Sequence, residues 1–157
     1  MAEFSKKGYI KQILIFLESQ QADNAYNLAR EFAGKMPEEM LAHFLLAKAA
    51  FAVEKYDEAA GAARKAFNLA SNSEDLATCA VLAATSYYMM KEYAKGYEFL
   101  DKIEKIKNNE EIQQLLFFFS VARTDDEAAA RHMESLFALN DKTARDLLQK
   151  VRVSLKA

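Results

Sequence analysis

The sequence predicts an all-α chain assembled from repeated helical pairs, and three observations predict it. One proline and four glycines in 157 residues, with no alternating run rich in valine, isoleucine or threonine, leave little from which to build a sheet. Capping residues cut the chain into about nine segments of helical length with short connections. Small residues recur at one place in alternate segments, as Ala25, Ala59, Gly96 and Ala128. With 52% hydrophobic and 28% charged residues, the chain has the apolar mass for a continuous core and is not a disordered one.

In "MAEFSKKGYIKQILIFLES" two lysines precede an apolar run, as in a signal peptide. Lys11 and Gln12 interrupt the run, Glu18 follows it and no small-residue cleavage site comes after, so it is predicted as a first amphipathic helix over 6–19. Gly34 closes the second helix (22–34), and Pro37 with Glu38 and Glu39 opens the third (38–53), because a missing N–H and two acids suit a first turn. Asp57, Ser73 and Asn140 are predicted N-caps for helices over 57–70, 74–90 and 141–155. Between them lie helices at 94–107, at 110–122 and, after the capping-box spacing of Thr124 to Glu127, at 125–138. The longest other apolar run, "LLFFFSVA" from Leu115 to Ala122, is far shorter than the roughly 20 residues a bilayer span needs. No membrane anchor is expected.

The recurring small residues stand 34, 37 and 32 residues apart. With "LAHFLLAKAAFAVEKYDEAAGAARKAFNLASN" (Leu41 to Asn72) as its clearest copy, the chain resembles the tetratricopeptide repeat family. In that copy Leu46, Tyr56, Ala59 and Ala66 keep the family's residue types, whereas His43, Ala47, Ala50, Ala63 and Ser71 replace them. The next copy carries Ala83, Ala84, Tyr87, Tyr93, Gly96, Leu100 and Ile103; the outer copies are more degenerate. The resemblance implies one domain over 1–157, a right-handed α-solenoid of about four pairs (6–35, 38–71, 74–108 and 110–139) with a capping helix at 141–155. Small residues explain the close pairing: at Ala47 and Ala59, or Ala84 and Gly96, a large side chain would hold the paired helices apart. One repeat cannot hide its apolar face alone, so the last helix is expected to turn Ala144, Leu147, Leu148, Val151 and Leu155 inward and its charges outward.

Little in the sequence suggests catalysis. His43 and His132 have no acid or cysteine at ligand spacing, so no metal or other cofactor is expected. Paired acids such as Glu74 with Asp75 fall at helix starts, where the helix dipole accounts for them. The chain has no glycine-rich phosphate loop and no convergent titratable set, and it is read as a non-enzyme. A formal charge of −2 with scattered lysines excludes the basic excess a nucleic-acid backbone requires. Cys79 is the one cysteine, expected as a buried thiol; it rules out an internal disulfide and suits a reducing compartment, so a cytoplasmic location is expected.

The family geometry implies that the first helix of each pair lines an inner face. A peptide-binding groove is therefore expected at Lys11, Leu14, Phe44, Lys48, Phe51, Thr85, Tyr88, Met89, Gln113 and Phe117. The family's grip on a terminal carboxylate uses basic and amide side chains, but here mostly Ile10, Leu14, Leu45, Thr78 and Leu82 stand at those places and Lys48 is a rare match. The expected partner is a hydrophobic peptide or helix of another protein, with the chain as adaptor or co-chaperone. The alternatives are a secretion-type chaperone or fixed subunit of a complex, and a helical enzyme or ligand-binding domain. Helices such as "LAHFLLAKAAFAV" are apolar on nearly every side, so the same rings also suit plain core or a homodimer contact.

Overall fold

The computed structural model describes residues 4–156, with side chains through Arg152. All regular structure among the described residues is helical: α1 (Lys6–Glu18), α2 (Ala22–Lys35), α3 (Met40–Ala52), α4 (Tyr56–Leu69), α5 (Ser73–Met89), α6 (Tyr93–Asp101), a 3-10 turn (Glu104–Ile106), α7 (Glu110–Ala122), α8 (Asp126–Leu139) and α9 (Asp141–Lys156). The expected helix at 94–107 is broken, because α6 ends at Asp101 and the chain tightens into the 3-10 turn. Gly34 lies inside α2, and Pro37 sits in the connection ahead of α3 rather than in its first turn.

The turns carry the repeat. Gln20, Glu54, Lys91 and Thr124 take left-handed backbone conformations with φ of 59°, 62°, 60° and 55°. They lie 34 residues apart from Gln20 to Glu54, 37 from Glu54 to Lys91 and 33 from Lys91 to Thr124. At each, two backbone hydrogen bonds close the preceding helix. The left-handed residue donates three positions back, as in Glu54 N to Phe51 O at 3.0 Å, and the next residue donates five back, as in Lys55 N to Ala50 O at 2.8 Å. This Schellman arrangement satisfies carbonyls a helix end would leave orphaned, and glycine usually occupies its left-handed position. None of the four residues here is glycine. Side-chain caps open several helices: Asn72, Asn109 and Asp125 accept amides of α5, α7 and α8, so the expected caps at Ser73 and Thr124 lie one position late and one early. Asn140 caps α9 as expected, its Oδ1 accepting from Thr143 N at 3.1 Å.

The chain forms two compact units, Met1–Glu92 and Tyr93–Ala157. In the first, each of α1 to α4 packs on its successor, and α1 and α5 also pack on α3. Tyr9, Ile13, Ala25, Ala29, Phe32, Ala49 and Ala59 form its core, with Tyr9 and Phe32 rings stacked at 4.9 Å. Alanine dominates where α3 meets α4: Ala47, Ala50, Ala59, Ala63 and Ala66 are all fully buried, which permits close approach of the two backbones.

In the second unit α6 packs on α7, α7 on α8 and α8 on α9. Gly96 lets α6 lie against the Phe119 ring of α7: an added Cβ would stand 3.0 Å from Cε2 and closer still to Cε1 and Cζ. Ala144 and Leu147 of α9 are buried with Leu136 and Met133, Val151 packs beside them half-buried, and Leu148 is exposed. The Leu155 side chain lies outside the described residues.

Candidate functional site

In the first unit, helices α1, α3 and α5 each leave one stripe uncovered. On α1 it holds Lys7, Lys11 and Leu14, exposed, with Ile10 and Leu17 half-buried beside them. On α3 the equivalent positions are Leu41, Phe44, Lys48 and Phe51, and on α5 they are Thr78, Val81, Leu82, Thr85, Tyr88 and Met89. These spacings of three and four residues follow one face of a helix, and each set lies 34 or 37 residues after the last, as the turns do. Leu14 retains 40% and Met89 48% of its surface. Lys48 lies with Nζ 5.7 Å from the Phe44 ring centroid, and Phe51 meets Tyr56 edge-on at 5.1 Å. Leu45, placed on this face by sequence, is buried. The outward positions of α2 and α4 differ in kind, with Asp23, Asn27, Arg30, Glu31, Asp57, Arg64, Lys65 and Asn68 exposed.

Two expected groove residues on α7 are core. Phe117 packs with Leu136 and Ala144, and Gln113 is enclosed in a polar chain within the second unit. The accessible positions of α7 are instead Glu111, Gln114, Leu115, Phe118 and Val121, 33 residues after their counterparts on α5. Aligning Ala128 with Gly96 gives 32, but the turns give 33, which puts Ala129 in register with Gly96. One residue rotates a helical face by about 100°.

The polar chain has a fixed direction. Gln113 Nε2 donates to the Lys107 carbonyl at 2.8 Å, which leaves Gln113 Oε1 to accept from His132 Nδ1 at 2.9 Å. His132 Nε2 then accepts the Tyr97 hydroxyl proton at 2.8 Å. Burial, and secondarily the charge of Arg131, hold the His132 imidazole below its ordinary 6.5. Arg123 covers the Tyr97 ring at 4.9 Å. His43 is likewise buried, its Nε2–H donating to the Pro37 carbonyl at 2.8 Å. Both imidazoles therefore serve packing. Cys79 is buried between α5 and α3, its Sγ 4.0 Å from Met40 Sδ, and burial with nearby Asp75 pushes its thiol up to about 11. Among the described residues no three His, Cys, Asp or Glu side chains gather as a metal site, and no helix is long and apolar enough to cross a membrane.

The described residues are all-helical with repeated turns, and their fold resembles that of a tetratricopeptide-like helical-repeat solenoid. The crystal structure of MamA protein, such a solenoid, matches with a TM-score of 0.75 at 17% identity, over 88% of this chain and 75% of that one. No protein-family model matches the sequence, and no curated protein matches it.

Proposed function

We propose that the chain is a non-catalytic protein-interaction module, an adaptor or co-chaperone that holds an apolar peptide or helix of another protein on the α1–α3–α5 face. The supporting observation is the contrast between stripes. Lys11, Leu14, Phe44, Lys48, Phe51, Thr85, Tyr88 and Met89 leave apolar surface uncovered on three neighbouring first helices, while the second helices α2 and α4 present mainly charged and amide side chains. Uncovered apolar surface rimmed by polar groups is the usual mark of a protein contact. Aromatic anchors such as Phe44 and Tyr88 suit a helix laid in a groove, where few residues carry most of the affinity. Gln113 and Phe117 drop out of this reading because they are enclosed.

The test places a photocrosslinking residue at Lys48 on the face and at Lys65 on α4, in the source cell. Crosslinks to one defined partner from position 48, absent from 65 and lost on adding Leu14→Glu or Met89→Glu with unchanged circular dichroism, support the reading. Equal labelling from both positions refutes it, and so does unfolding by Phe44→Glu and Tyr88→Glu, which would make those rings core.

A further inference from the structure

We infer that the segment this face takes is an acidic amphipathic one, with apolar residues flanked by aspartate or glutamate one helical turn apart; this rests on the reading just proposed. The uncovered stripe is not uniformly apolar. Lys7 and Lys11 stand one turn apart on α1, both exposed, and neither has an acidic partner among the described residues, although neighbouring Lys6 is paired with Glu39 at 2.7 Å. Lys48, on adjacent α3, occupies the repeat position of Leu14, next along the helix from Lys11, and lies over Phe44. A side chain seated on Phe44 therefore arrives beside a cation. Acids on these stripes stand only at helix ends, as Glu18 of α1 and Glu74 of α5. In a chain of net charge −2, three lysines among apolar residues with no acid between them form a local positive field. Carboxylates meet both demands of such a surface, whereas a phosphate backbone would leave Leu14, Phe44 and Phe51 uncovered.

The experiment uses the full chain and a fluorescent 18-residue helical peptide with leucine and phenylalanine on one side and glutamate at the flanking positions. Its counterparts carry glutamine or lysine there. The glutamate peptide binds at least tenfold tighter than the glutamine one at low salt, and the difference collapses in 0.5 M salt. Lys11→Glu with Lys48→Glu removes the preference but keeps the weaker binding, whereas Leu14→Glu abolishes both. Equal binding of the glutamate and glutamine peptides, or tighter binding of the lysine one, overturns the inference and leaves the interaction reading standing. No binding of any peptide, or a dimer that Leu14→Glu renders monomeric, overturns the inference too. In those cases the crosslinks from position 48 decide separately whether the face has a partner.

Discussion

Replacing Thr124 by glycine stabilises this protein, against the usual effect of glycine. Thr124 is β-branched and held at φ 55° in the α7–α8 turn, where a side chain crowds the following carbonyl. A non-glycine residue there costs about 1–2 kcal/mol relative to the right-handed region. Glycine relieves that strain but adds freedom to the unfolded chain, a penalty of about 0.4–1 kcal/mol. The bond lost from Thr124 Oγ1 to the Arg123 carbonyl is exposed and adds little to the balance. A net gain of about 0.5–1 kcal/mol follows. It raises the Tm by about 3–6 °C if the second unit melts alone, and by about 2–3 °C if the whole chain melts as one. Calorimetry with urea denaturation reads both, and Glu134→Gly, exposed in the middle of α8, serves as the matched control, expected to lose about 0.6–1 kcal/mol. Glycine at Glu54, in the first unit, gives a gain of the same sign, and the two add because the turns share no partners. If Thr124→Gly destabilises as much as Glu134→Gly does, the turns are not what sets the repeat register.

The remaining predictions concern packing and titration. Gly96→Ala loses about 1–3 kcal/mol by urea denaturation, because the methyl group meets the fully buried Phe119 ring and the overpacking exceeds the gain in helix propensity. His132 titrates below 6.5 in the folded protein, so the unfolded chain takes up its proton first; stability falls as pH drops from about 6.5 toward the folded value. Carbon-detected NMR of the imidazole checks this, and an apparent pKa at or above 6.5 refutes it. Cys79 stays unlabelled by a thiol-disulfide reagent at pH 8 while folded and reacts in guanidinium, since with a pKa of about 11 about one thiol in a thousand is ionised.

Helix count and most boundaries were legible because apolar periodicity and capping chemistry are local. Where the reading slipped, the cause was tertiary. Gly34 and Pro37 looked like helix punctuation, yet α2 runs on to Lys35 and α3 opens only at Met40, and the Schellman turns at Gln20, Glu54, Lys91 and Thr124, which close α1, α3, α5 and α7, give no glycine signal. Those positions take φ > 0 where the chain closes a helix without glycine, and residue type in a local window does not predict that. The alanines of "KYDEAAGAARKAF" were informative for the opposite reason: with so little side chain, only close helix packing gives Ala59, Ala63 and Ala66 a use, and all three are fully buried.

Which positions stay accessible was legible for most of α1, α3 and α5 and not for α7, and the difference lies in the neighbours of each apolar residue. On α1 and α3, lysines at 7, 11 and 48 mark the solvent side and fix the rotation of the helix. On α7 the run "LLFFFSVA" is apolar through a full turn and a half, so periodicity leaves its rotation open. The polar residues before that run point the wrong way: Gln113 looks like surface and is buried, because His132 and the Lys107 carbonyl satisfy its amide inside the unit. Its neighbour Gln114, chemically identical, is the accessible one. Partners for a buried amide come from residues six and nineteen positions away, so the side that faces solvent is decided only once α6, α7 and α8 have packed.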